Sequence, residues 1–236
     1  MAATVVVIVA AAFLAHQWRS EASVQAQVAT QKRTVEELQK RLDAGQIDWS
    51  AIAATAESSV VTIEAGDSLG SGWVAHADAS NAEIITNFHV VGERWSSGTA
   101  SVRVRQGDHT WPGTIEQVDR SDDLAVIHIA QYMHALTSAP QRPKLSSTAM
   151  AVGSPLGLDG TISIGVVSGY RSLGGSNYLQ FTAAISPGNS GGPVIDSSGR
   201  VVAIASAKLI YPGAEALSLG IPVEVACDSL VVCKTS

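Results

Sequence analysis

Aromatic residues (5%), charged residues (15%) and cysteines (two) are all scarce in this sequence, and each shortage narrows the field. A chain that is 46% apolar with so little charge is neither a disordered tail nor a solenoid of charged helices. Lys and Arg number 15 against 21 Asp and Glu, a formal net charge of −6, and no basic patch is interleaved with aromatics. That balance argues against nucleic acid as a partner. No Cys/His cluster has the spacing of a zinc site, so no metal is expected. Long apolar runs are also missing, apart from one at the start. AATVVVIVAAAFLA, Ala2 to Ala15, is uncharged. As a helix it would reach roughly 21 Å, short of the roughly 30 Å hydrocarbon core of a bilayer.

Residues 1–18 therefore read as a signal-peptide core or a short membrane anchor, and a buried helix of a soluble domain is the plainer alternative. Small residues at Ser20-Glu21-Ala22 and Val24-Gln25-Ala26 suit cleavage. Arg19, Lys32 and Arg33 follow the run and none precedes it, which fits poorly with a cytoplasmic N-terminus. An extracytoplasmic location is expected, membrane-anchored or secreted, and any membrane contact would run through this segment. Residues 19–48 form a helical stalk or linker. Val24, Val28, Val35, Leu38 and Leu42 fall on one stripe. Such a helix either self-associates into an oligomer or lies on the domain that follows.

From Trp49 the period changes. Short apolar runs separated by turn residues recur: SVVTIEA, LGSGWVAHA, AEIITN, ASVRVRQ, GTIEQVD and LAVIHIA. After the Pro140–Pro143 connection come AMAVGS, ISIGVVSGY, YLQFTAAI, GPVIDSSG, RVVAIASA and LSLGIPV. This is an all-β pattern in two halves, 49–140 and 141–236, and pattern alone allows barrels or sandwiches. A single short helix is hinted at near His89–Glu93.

One turn is unusually dense. SPGNSGGPV, Ser186 to Val194, holds three glycines, two prolines and two serines in nine residues and runs straight into strand material. It is either an ordinary turn or one that fixes backbone N–H groups around an exposed serine. A nucleophilic Ser190 needs a base, an acid to orient that base, and N–H donors aimed at the oxyanion. His89, where a strand ends in AEIITNFHVVGE, is the candidate base. Asp123, just before the apolar strand in RSDDLAVIHI, is the candidate acid, with Asp122 as its competitor. Gly188 lacks a Cβ and permits the crowded backbone that would aim the N–H groups of Gly188 and Ser190.

TNFHVV, DDLAVI and SPGNSGGPV, in that order, resemble the trypsin-like serine proteases, and GSGWVAHA, GSPLGL, GVVSGY and LGIPV are similar to the bacterial high-temperature-requirement (HtrA/Deg) branch. The resemblance covers about residues 55 to 225. It implies two six-stranded β-barrels of the chymotrypsin type with His89, Asp123 and Ser190 in the cleft between them. It places Gly188, Asn189 and Ser190 in the oxyanion loop and requires no cofactor. By the same match Ala184 lies at the base of the primary specificity pocket, with Ser206 and Ala207 on one wall. Small apolar walls imply polypeptide substrates cleaved after small or medium aliphatic residues, with loose selectivity. The sequence departs from that branch in three respects. No peptide-binding PDZ domain is expected after LGIPV, the loops ahead of SPGNSGG are short, and Phe181-Thr182 stand where the branch has a Thr-Asp pair. The implied function is a serine endopeptidase, with envelope protein quality control as its implied setting. A protease-fold binding module or chaperone with little turnover is the rival.

Cys227 and Cys233 are close in sequence. A disulfide needs Cα atoms within about 7 Å, whereas an extended strand would hold these two roughly 20 Å apart. The segment must turn if they pair, and two buried thiols are the alternative.

Overall fold

The computed structural model describes residues 25, 31–37, 46–154, 160–206, 217–230 and 233. The chain divides into two compact units, Met1–Ile47 and Asp48–Ser236. In the first, residues 31–37 are helical and Val35 of the expected apolar stripe is 57% exposed. The apolar run at 2–15 lies outside the described residues. No helix among the described residues is long and apolar enough to cross a membrane.

The second unit is built from β-strands. Its first half supplies β1 (Val60–Ala65), β2 (Ser68–Ala77), β3 (Ala82–Asn87), β4 (Ser101–Gln106), β5 (His109–Asp119) and β6 (Leu124–Ile129). These close into a six-stranded barrel in the order β1-β2-β3-β6-β5-β4. The second half supplies β7 (Thr148–Gly153), β8 (Thr161–Leu173), β9 (Ser176–Phe181), β10 (Pro193–Asp196), β11 (Val201–Ala205) and β12 (Ser218–Pro222). They close in the order β10-β11-β12-β9-β8-β7. Every strand pair is antiparallel. The choice between barrel and sandwich is thus resolved as two closed barrels, in which no strand edge is left unpaired. Turn chemistry sets the register. Between β8 and β9, Gly174 and Gly175 take φ of 60° and 92°, the two positive values that a type I′ hairpin turn demands.

Among the described residues three helices accompany the barrels: α1 (Trp49–Glu57), α2 (Phe88–Ser96) and α3 (Val223–Ser229). Of these, α2 extends the helix hinted at in the sequence, while α1 and α3 correct the reading of residues 49 onward as strands with that single helix. The signals for α1 are local. Asp48 caps it by accepting the Ala51 N–H at 3.0 Å, and Trp49, Ile52, Ala53 and Ala56 follow at helical spacing and pack on the core. For α3 the helical turn itself matters: it brings Cys227 within a Cα distance of 5.3 Å of Cys233, and the two form a disulfide.

The core has three parts. Val61, Ile63, Ile84, Val104, Ile115 and Ile127 fill the first barrel, and Val167, Leu179, Phe181, Val194 and Val202 fill the second. A third cluster joins them. Trp73, Ile85, Leu124 and Val126 of the first barrel pack with Met150, Val152, Ile195, Ile204 and Ile221 of the second. This shared layer holds the barrels at a fixed spacing, so loops from both can meet with defined geometry.

Candidate active site

The antiparallel pairing of β3 with β6 sets Asn87 opposite Leu124. The residues just beyond those ends, Phe88 and His89 on one side and Asp123 on the other, are therefore neighbours by register. Asp123 is held from both its ends. Its carbonyl accepts the Phe88 N–H and the Asn87 Nδ2, each at 3.0 Å. Its carboxylate accepts the His89 N–H through Oδ1 at 2.9 Å and meets His89 Nδ1 through Oδ2 at 2.8 Å. A carboxylate can only accept, so Nδ1 carries a proton and a neutral ring leaves Nε2 as an acceptor. Asp123 reaches this position with φ of 54°, rare for a residue with a side chain. The pair is partly shielded, with side-chain exposures of 26% for His89 and 17% for Asp123. Asp122 points elsewhere: its Oδ1 lies 3.5 Å from the Ser176 hydroxyl at the β8–β9 hairpin.

Ser190 lies between β9 and β10 and is 4% exposed, which corrects the expectation of an exposed serine. The cause is how closely its loop is pressed against the first barrel. The Ser190 carbonyl accepts the Ser71 N–H at 2.8 Å. Gly191, at φ 87°, sits so tightly that an added Cβ would lie 2.2 Å from the Ser71 carbonyl oxygen, 2.3 Å from Thr86 Oγ1 and 3.0 Å from the Asn87 nitrogen. The serine loop thus abuts the end of β3, two residues before His89.

The loop itself is a turn of defined type. The Asn189 N–H donates to the Ser186 carbonyl at 2.9 Å, with Pro187 second and Gly188 third at φ 101°. Proline second and a positive φ third define a type II turn, whose central peptide is flipped relative to type I. Three consecutive carbonyls are engaged: Gly188 by the Ser71 hydroxyl at 2.6 Å, Asn189 by the Gly192 N–H at 3.0 Å, and Ser190 by Ser71. Gly188 is buried, and among the described residues its N–H has no hydrogen-bond partner. A buried, undonated N–H beside a serine suits an incoming oxyanion.

Of the expected pocket residues, Ala184 is exposed and its carbonyl accepts the Ser163 hydroxyl at 2.6 Å. Ser206 is 1% exposed, donates its N–H to Leu219 at 3.0 Å, and its hydroxyl has no partner among the described residues. Ala207 lies outside the described residues. Among those described, no cluster of His, Cys, Asp or Glu could hold a metal. The sequence reading passed over Ser71, Thr86 and Asn87 as functional positions. All three stood inside motifs already singled out, GSGWVAHA and TNFHVV.

Two closed six-stranded barrels with a His–Asp pair and a serine turn between them define the chymotrypsin-like class. Comparison with known proteins agrees: residues 70–204 match the trypsin-like peptidase domain, and the chain belongs to that family. Its relatives carry HtrA/Deg names. Serine protease HTRA2, mitochondrial, of Drosophila grimshawi is 33% identical over 213 residues, covering 78% of this chain and 48% of that protein. Protease Do-like 1, chloroplastic, of Arabidopsis thaliana is 32% identical over 176 residues, covering 69% of this chain and 38% of that protein. The chain spans less than half the length of these curated relatives. The crystal structure of Deg5 superposes with a TM-score of 0.65 at 27% identity, covering 76% of this chain and 90% of that one.

Proposed function

We propose that the protein is a serine endopeptidase in which Ser190 is the nucleophile, His89 the general base and Asp123 the acid that orients it. The observation that carries this reading is the two-point grip of Asp123 on His89, through the backbone N–H and Nδ1 together. It holds the ring in the one tautomer that can take a proton at Nε2. Ser190 attacks the peptide carbonyl as His89 accepts its proton, and the N–H groups of Gly188 and Ser190 stabilise the oxyanion. His89 then protonates the leaving amine, and water resolves the acyl-enzyme. Asn189 is the link residue of that loop. The small side chains of Ala184 and Ser206, at the positions that the family resemblance assigns to the specificity pocket, favour small or medium aliphatic side chains. The Cys227–Cys233 disulfide supports a compartment outside the reducing cytosol.

Fluorophosphonate labelling of the chain tests the reading. Wild type should label stoichiometrically, Ser190→Ala should not label, and aliphatic peptides should be cleaved. A folded wild type that neither labels nor cleaves would instead be a binding module.

A further inference from the structure

We propose that Ser71 is a positioning residue that holds the oxyanion loop in its working turn from across the barrel boundary. The inference rests on the hydrolase reading above. Ser71 stands on β2 of the first barrel and is 0% exposed. Every polar group it owns is committed. Its N–H donates to the Ser190 carbonyl at 2.8 Å, and its carbonyl accepts the Thr86 hydroxyl at 2.7 Å. Its hydroxyl lies 2.6 Å from the Gly188 carbonyl and 2.8 Å from the Ser154 nitrogen. The direction of those last two bonds follows from chemistry alone. An amide N–H only donates and a carbonyl only accepts, so the single hydroxyl proton goes to Gly188. Ser154, at the start of GSPLGL in the second barrel, orients the Ser71 oxygen. Ser71 in turn orients the loop.

The consequence lies in the turn. Gly188 can occupy positive or negative φ at similar cost, so the loop has a second turn available in which the Pro187–Gly188 peptide is flipped and its N–H faces away. Glycine supplies the freedom, and the bond from Ser71 to the Gly188 carbonyl limits it by pinning the peptide that follows Gly188. Because Ser71 also holds the Ser190 carbonyl, one residue anchors the peptides that follow Gly188 and Ser190, and so the two residues whose N–H groups serve the oxyanion. It touches neither substrate nor reacting atoms.

Ser71→Ala in the full chain removes the hydroxyl and keeps the backbone bond to Ser190. Expected is a fall in kcat of about tenfold or more with KM within twofold, since a loosened oxyanion loop weakens transition-state rather than ground-state contacts. Inhibition by a peptide boronic acid, whose tetrahedral adduct engages the same donors, should weaken by a similar factor. Binding of an uncleaved peptide in the Ser190→Ala background should not change. Ser71→Cys keeps the size but donates weakly, and should fall between. Ser59→Ala is the control for plain structural loss: Ser59 is equally buried, and its hydroxyl is 3.0 Å from His134 Nδ1. It should lose stability and keep kcat. A folded Ser71→Ala or Ser71→Cys with wild-type kcat and boronate affinity overturns the inference and leaves the hydrolase reading standing. So does a loss confined to KM. Absence of turnover in wild type overturns both.

Discussion

Asp123 illustrates how much of the proposed chemistry rests on single residues. Holding a non-glycine residue at positive φ costs on the order of 1 kcal/mol, and here four hydrogen bonds to Asn87, Phe88 and His89 hold it there. Asp123→Asn should leave the fold intact, because the amide oxygen can still accept the His89 N–H. Its amide would donate towards Nδ1, moving the ring proton to Nε2 and leaving no base. A drop in kcat of roughly a thousandfold to ten-thousandfold is expected in steady-state peptide cleavage. Gly191 fails differently. At φ 87°, with backbone and Thr86 oxygens under 2.5 Å from a hypothetical Cβ, Gly191→Ala meets both strain and collision. Strain alone costs about 1–3 kcal/mol, so the urea midpoint should fall by more than that range implies, with activity falling alongside.

At the scale of elements, the turn between β5 and β6 delivers Asp123. Asp119 organises that turn through one carboxylate oxygen, which accepts the Ser121 hydroxyl at 2.5 Å and the N–H groups of Ser121 and Asp122 at 2.9 and 3.1 Å. The Ser121 hydroxyl bond is the largest cause holding the Asp119 carboxyl below its ordinary value of 3.8; burial opposes it, and the N–H bonds of Asp122 and Ser121 add to it. A carboxyl depressed in the folded state stabilises the fold fully above the ordinary value and stops doing so as pH falls through the depressed one. Thermal midpoints of wild type and Asp119→Asn should therefore differ near neutral pH and converge in acid. A gap that persists below pH 3 would show that the amide, rather than the lost charge, is responsible.

For the whole molecule, the shared core governs cooperativity. Trp73, Leu124, Met150, Ile195 and Ile204 belong to one cluster that neither barrel completes alone. The second unit should unfold in one transition, with far-ultraviolet circular dichroism and the fluorescence of buried Trp73 coinciding. Ile204→Ala, at a position 0% exposed in the second barrel, should lower stability by about 2–5 kcal/mol and shift both probes together. Two separated transitions would mean that each barrel folds on its own. The distance from His89 to the serine loop would then depend on docking rather than on the core.

The sequence by itself determined the β class and the two sets of strands, and it supplied the candidates for chemistry. Those properties follow from local pattern: alternation and turn residues mark strands, and SPGNSGGPV marks an irregular loop whose backbone must be special. Asp48 and the spacing of Trp49, Ile52, Ala53 and Ala56 equally marked a helix, yet a strand-rich context obscured it. Three matters lie beyond local pattern, the first two anticipated only through the family resemblance. Closure into barrels depends on pairings such as β1 with β4, far apart in the chain. The separation of Asp123 from Asp122 depends on the register of β3 against β6, where a shift of one residue would turn the other carboxylate inward. The role of Ser71 depends on contact with Gly188 across more than a hundred residues of chain. Local pattern records what a residue can donate or accept, and only packing of the two barrels brings its partner within hydrogen-bond reach.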